Sequence, residues 1–259
     1  MKLLSFIILA FFSASVTSFA QFGSDLDTAF GKVSFSVRFD VNRYESALTV
    51  KKDGKKIFGT VYVENVYEIL HEKLEPAGKE YYMIHLYSGG AHCCSSLLIA
   101  DIRGNEFVIL DTGFYGNSGF SLDDLNKDGV REIISGNDMF AYAFTNYAET
   151  RFPLRIQKLE SGRLKEITGE FKDELIAEIG YFEQDLNEFI KEGFACPETE
   201  DEDTFNTDAG SVKTILAAIA ADYYSLGQAE RGYELIEKVY KCIDKDKFIK
   251  ILQEDFKLK

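Results

Sequence analysis

One short stretch of this chain places oxygen-bearing side chains at alternate positions, which is the spacing that a calcium-binding loop requires. Calcium takes about six to eight oxygen ligands at roughly 2.3 to 2.6 Å, and side chains two residues apart in a tight turn can point at one centre. Gly129 supplies the backbone freedom for the turn. The sequence therefore predicts a Ca²⁺ site whose ligands are the side chains of Asp124, Asn126, Asp128 and Glu132 and the backbone carbonyl of Val130.

The loop departs from an EF-hand, which needs a bidentate Glu at the twelfth position where this chain has Ser135. Ile133, Ile134 and the aromatic residues of 140–144 predict strand after the loop rather than helix. The pattern Asp-x-Asn-x-Asp-Gly-x-x-Glu followed by a strand resembles the calcium loop of FG-GAP and VCBS-type repeats. The alternative is an ordinary turn, since Asn, Asp and Gly are common in tight turns.

A second segment, 74–82, resembles a degenerate copy of this loop without the acids. Its Gly78 precedes Gly129 by 51 residues, and apolar strand-like residues follow both glycines. Such spacing is compatible with blade-like repeats. Two copies cannot close a propeller, which needs about four to eight blades, so we expect an FG-GAP-like hairpin or meander that stays open.

A glycine-rich motif ends in His92, Cys93 and Cys94. The Gly-Gly-Ala-His-Cys-Cys segment resembles one found in uncharacterised exported bacterial proteins with FG-GAP-like loops, a resemblance that suggests a fold but no activity. His92 and the two sulfurs are candidates for binding a soft metal or for exchanging disulfides with a partner. The alternative is a structural disulfide between neighbours in a glycine-rich turn.

The N-terminal residues 1–20 have the charged start, apolar core and small-residue cleavage site of a secretory signal peptide. We therefore expect a periplasmic or secreted protein without stable membrane insertion. Disulfides persist in such compartments. We expect Cys196 to pair with Cys242, and Cys93 and Cys94 to form either a bond with each other or two thiols.

The hydrophobic periodicity predicts an α+β protein. An antiparallel β-rich domain should cover 21–170, and a helical region should cover 171–259 with an acidic linker at 197–208. That linker is either a solvated loop or a surface for cations or a basic partner. Residues 216–230 resemble part of a tetratricopeptide unit, with a plain helical hairpin as the alternative. The predicted strands are 32–39, 47–50, 57–63, 81–87, 95–102, 106–111, 132–136, 152–160 and 163–167. The predicted helices are 172–192, 211–226, 229–241 and 244–256.

The formal net charge of −14 argues against a nucleic-acid partner. No nucleophile elbow, phosphate loop or His-Glu-x-x-His pair is present, which argues against the common catalytic classes. The leading hypothesis is an exported, non-catalytic module that calcium braces and that contacts an unknown envelope or extracellular protein. The alternatives are thiol-redox or soft-metal chemistry at His92-Cys93-Cys94, and a carboxylate-based hydrolase, which would show a water-accessible cleft with converging carboxyls of shifted pKa.

Overall fold

A computed structural model of the chain describes residues 23–90 and 93–259. The predicted signal peptide, 1–20, and His92 lie outside these residues. Three antiparallel sheets of four strands each follow one another along the chain, and four α-helices come after them. This order confirms the predicted α+β class.

The first sheet is a simple meander in which each strand pairs with the next. The predicted alternation in its second strand is confirmed, because Val33, Phe35 and Val37 are all buried. Asp53 and Gly54 both have positive φ, as the predicted hairpin turn requires. The strands are β1 Leu26–Phe30, β2 Val33–Asp40, β3 Glu45–Lys52 and β4 Lys55–Tyr62.

The second and third sheets repeat the same meander. The second contains β5 Asn65–Lys73, β6 Glu80–Tyr87, β7 Ser95–Arg103 and β8 Glu106–Gly116. The third contains β9 Phe120–Asp123, β10 Glu132–Gly136, β11 Leu154–Glu160 and β12 Arg163–Glu166. The first strand of each sheet, β1, β5 and β9, was not predicted.

The three sheets stack with the second in the middle. Alternate residues of β6 face opposite neighbours: Tyr82 and Ile84 join the core shared with the first sheet, while Tyr81 and Met83 join the core shared with the third. Both faces of the middle sheet are therefore buried. The stack does not close into a barrel or propeller.

Corresponding glycines mark the first hairpin of each sheet. Gly31 joins β1 to β2, Gly78 lies between β5 and β6, and Gly129 lies between β9 and β10, all with positive φ. The similarity between the segments around Gly78 and Gly129 thus corresponds to equivalent places in two successive sheets.

The predicted strand at 140–144 is wrong. Asp138–Phe140 forms a 3-10 turn, in which the Asn137 side chain accepts a hydrogen bond from the Met139 amide. Phe140 and Phe144 are both buried in the helical core, where their rings lie 4.4 and 5.8 Å from that of Phe256. The alternating aromatic pattern resembled a strand, but these two rings pack on helices.

The helices are α1 Lys172–Glu192, α2 Asp208–Ser225, α3 Ala229–Val239 and α4 Lys245–Glu254. Helix α2 is buried from Ala209 to Tyr223 and forms the centre of the helical core. It begins earlier than predicted because the Thr207 hydroxyl caps it by accepting from the Gly210 amide at 3.2 Å. Within the described ranges, no helix is long and apolar enough to cross a membrane.

Candidate functional site

The predicted calcium loop joins β9 to β10, and the side chain of Asp124 closes it. Its two oxygens accept hydrogen bonds from the backbone amides of Asp128 and Gly129, both at 2.9 Å. Lys127 and Gly129 have φ values of 61° and 83°, so the chain turns sharply here. The first predicted ligand therefore also holds the turn together.

The carboxyls of Asp128 and Glu132 meet at the side-chain amide of Asn126, which is itself a predicted ligand. The Asn126 Nδ2 donates to Asp128 Oδ2 at 3.0 Å and lies 3.4 Å from Glu132 Oε1. The Asn126 Oδ1 accepts from the Asp128 amide at 2.9 Å. The side chains of Asn126, Asp128 and Glu132 thus converge rather than pointing separately into solvent.

Glu132 is only 3% exposed, although it carries a carboxyl group. Burial raises its pKa, a hydrogen bond from the Leu125 amide at 3.0 Å opposes that effect, and the nearby charges of Asp128 and Asp124 raise it further. A buried carboxylate beside two others is costly without a positive partner. The hydrogens of the Asn126 amide partly fill that role.

Val130, the predicted backbone ligand, is buried, and its amide donates to Asp128 Oδ1 at 2.8 Å. Throughout 23–90 and 93–259, no three His, Cys, Asp or Glu side chains form a ready-made metal-binding group. The predicted ligand set consists of three acids, one amide and one carbonyl. Asp124 is the acid that uses both of its oxygens on the backbone of the turn.

The loop also connects two sheets through Arg131. Its backbone amide donates to the Lys73 carbonyl at 2.9 Å, and its Nε lies 3.1 Å from Glu72 Oε2, both at the end of β5. Its guanidinium also donates to the Leu122 carbonyl in β9 at 3.2 Å. A change in the shape of this loop would therefore affect the contact between the second and third sheets.

A cleft of about 380 Å³ borders the loop, and Asn126, Asp128 and Glu132 lie in its wall. Glu75 lies in the same wall, where its Oε1 accepts from the Gly162 amide at 2.9 Å and its Oε2 accepts from the Tyr81 hydroxyl. One side of the predicted site is thus open to solvent.

The Cys93–Cys94 pair lies in a different place, in the connection between β6 and β7. The two sulfurs are bonded to each other, and Ser88 closes the turn by exchanging hydrogen bonds with Cys94. Sulfurs in a disulfide are not thiolates and do not bind metal in that form. Because His92 lies outside the described residues, its part in a thiol or metal site stays a prediction.

His85 is the nearby histidine that could have joined such a site. Its Nε2 lies 2.7 Å from the Ser95 hydroxyl, and its ring packs against Phe120 and Tyr67. Burial lowers its pKa. This histidine is therefore part of the interior between sheets.

Cys196 and Cys242 form the second disulfide, with Cα atoms 5.2 Å apart. The bond connects the segment after α1 to the segment after α3. Cys242 is buried in the helical core, so the start of the acidic linker is fixed to that core.

Sequence reasoning missed Asp222, a wholly buried carboxyl near the end of α2. Its Oδ1 accepts from the Leu154 amide of β11 at 3.0 Å, and its Oδ2 has no hydrogen-bond partner among the described residues. Burial raises the pKa of Asp222 to about 8, and Glu178 of α1 adds to that rise. The sequence feature that could have predicted this buried carboxyl is the single acid, Asp222, within the otherwise apolar residues 215–223.

Glu178 lines a cleft of about 670 Å³ between the third sheet and α1, and burial raises its pKa. It is the one acid among the residues that line this cleft, and Asp222 is not part of the lining. Hydrolases that use two carboxyls place both beside the substrate. This cleft therefore has one carboxyl of raised pKa, whereas the hydrolase alternative predicted two that converge.

Comparison with known proteins identifies two partial relatives. A "Probable thylakoid lumen protein" of Synechocystis sp. is 26% identical over 163 residues, which cover 60% of this chain and 42% of that protein. An "Uncharacterized protein" of Sinorhizobium fredii is 35% identical over 75 residues, 29% of this chain and 12% of that protein. The matches thus span less than half of either relative. No protein family and no solved structure matches the chain.

Proposed function

We propose that this protein is an exported, non-catalytic module in which calcium, bound at the β9–β10 loop, braces the sheet stack for contact with another envelope or extracellular protein. The observation that carries the proposal is that the carboxyls of Asp128 and buried Glu132 both approach the side-chain amide nitrogen of Asn126.

The donor set suits calcium because every predicted ligand is a hard oxygen. Asp124, Asp128, Glu132 and the amide oxygen of Asn126 would supply the side-chain ligands, and Val130 would supply its carbonyl. The ion would replace the Asn126 amide hydrogens as the positive partner of the carboxyls. Its chemical contribution is to neutralise buried negative charge, which favours the folded loop.

The bracing role is supported by Arg131, which lies next to the ligands and contacts both Glu72 and Lys73 of β5. An ion that stiffens the loop would therefore hold the third sheet against the second. The proposed effect is on stability, with no chemical step.

Export is supported by the name of the Synechocystis relative, which refers to a lumen, and by the two disulfides of this chain. The fold leaves exposed side chains such as Val63 and Tyr67 on the surface of the stack.

Titration calorimetry of the mature protein with calcium tests the proposal, together with melting curves in calcium and in chelator. Binding at a ligand concentration about one hundred times Kd should stabilise the fold by about 2.7 kcal/mol. Asp128→Asn should lose the heat of binding and the stabilisation. Glu106→Gln, an exposed acid at the start of β8, is the matched control and should retain both.

An absence of binding heat in the native protein, with identical melting curves in calcium and chelator, would contradict the proposal. Equal losses in Asp128→Asn and Glu106→Gln would also contradict it, because they would indicate general attraction of calcium to an acidic surface.

A further inference from the structure

A groove of about 640 Å³ lies where the acidic linker meets α2, α4 and the 139–144 segment. Its apolar wall includes two side chains that solvent reaches: Met139 is 60% exposed and Phe205 is 40% exposed. Phe144, Phe248 and Phe256 continue this wall into the helical core. The groove therefore offers apolar surface that no described residue covers.

The linker is held in position along this groove. Lys213, itself buried on α2, donates to the Thr204 hydroxyl at 2.9 Å and to Asp244. Lys247 of α4 pairs with Asp201 at 2.9 Å. The Cys196–Cys242 bond fixes the start of the segment. The acids of the linker are thus ordered before any partner arrives, which lowers the entropic cost of binding.

The charge of the groove is strongly negative. Six carboxyls and two lysines line it, a formal excess of four negative charges. Both lysines are already engaged, Lys213 by Asp244 and Lys247 by Asp201. The carboxyls at the rim are those of Glu200, Asp201, Glu202, Asp203 and Asp255.

We propose that this groove docks a basic segment of another protein, which inserts an aromatic or aliphatic side chain against Met139 and Phe205 while its lysines or arginines face the acidic rim. Burial of an apolar side chain supplies affinity, and complementary charge supplies orientation and a faster approach. An acidic segment would be repelled by the carboxyls of the rim. A purely hydrophilic segment would leave the apolar wall uncovered.

The probe is a labelled peptide that carries several lysines and one phenylalanine, and the readout is fluorescence anisotropy with the mature protein. Glu200→Lys combined with Asp255→Lys should weaken binding about tenfold, since the two changes together cancel the formal excess of four negative charges in the groove. The matched control is Glu174→Lys combined with Glu188→Lys, two exposed acids on α1, which changes the net charge by the same amount and should have little effect.

Met139→Ser tests the apolar part, with Ile176→Ser on α1 as its control because both side chains are 60% exposed. Met139→Ser should weaken the phenylalanine peptide about tenfold. It should hardly change binding of a companion peptide with serine in place of phenylalanine. That difference is the coupling between the two apolar groups.

Equal weakening by the groove variants and the α1 controls would overturn the proposal, since it would show attraction to the net negative charge of the whole chain. Equal affinity for the two peptides would overturn it as well. Circular dichroism of each variant shows whether the fold is retained, and the charge-reversal pair lies at exposed positions that keep the core intact.

Discussion

Asp222 makes the fold sensitive to pH in a way that one substitution tests. In the unfolded chain its carboxyl ionises near its ordinary pKa of 3.8, whereas burial raises its pKa in the folded protein to about 8. Between these values the folded state holds a proton that the unfolded state has released. The contribution of Asp222 to stability is therefore greatest below about pH 4 and is lost as the pH rises toward about 8.

The magnitude follows from the size of the shift. One pKa unit corresponds to about 1.4 kcal/mol, so about four units correspond to a loss on the order of 5 kcal/mol between about pH 4 and pH 8. Glu178 is the charged neighbour that contributes to this shift, and its own raised pKa acts in the same direction. Arg151, which lines the same cleft as Glu178, is paired with Asp185 at 2.8 Å.

Asp222→Asn keeps the oxygen that accepts from the Leu154 amide and cannot ionise. Urea unfolding at a series of pH values should show native stability falling with pH and a much flatter profile for the variant. The control is Asp173→Asn at the exposed start of α1, which should follow the native profile. Parallel profiles for the native protein and Asp222→Asn would refute the reasoning, since Asp222 would then ionise at the same pH in both states.

Three other measurements address separate parts of the molecule. Replacing Cys196 and Cys242 by alanine opens a loop with a sequence separation of 46 residues and should reduce stability by about 4 kcal/mol, measured by chemical denaturation; an unchanged midpoint would contradict this. Gly210→Ala should lower the melting temperature and loosen the linker. The added Cβ would lie 2.3 Å from the Thr204 carbonyl oxygen, so the backbone would have to move. A melting temperature equal to that of the native protein would show that the close contact is absent. Glu132→Gln should stabilise the calcium-free protein at neutral pH, because the native pKa is raised, and should abolish stabilisation by calcium; retention of the calcium effect would remove Glu132 from the ligand set.

Local sequence patterns were sufficient for the fold class and for most elements. The apolar alternation of Val33, Phe35 and Val37 predicted β2, and the three-and-four spacing of Leu175, Ile179 and Phe182 predicted α1. These patterns work because a strand or an amphipathic helix that buries one face repeats its own geometry in the sequence. The calcium site at the β9–β10 loop was predicted in the same way, from residues close in sequence.

Two errors in the predicted elements, the missed strand β5 and the strand wrongly predicted at 140–144, have a common cause. Strand β5 contains polar residues such as Glu68, His71 and Glu72, and pairing along β6 places it in the middle sheet. Phe140 and Phe144 alternate with small or polar residues as a strand would, but the helices bury them. In both cases tertiary contacts, the pairing of β5 with β6 and the packing of the two rings on the helices, outweigh local preference.

The sequence by itself determined nine of the twelve described strands and the order of the four helices, the strong negative charge, and the spacing of oxygen groups around Gly129. Only the tertiary structure decided that three sheets stack with the middle one buried on both faces, that Asp222 loses contact with water, and that the acidic linker borders an apolar groove. The physical reason is that periodicity is a local property of the chain, whereas burial and the pairing of charges depend on which distant residues come into contact.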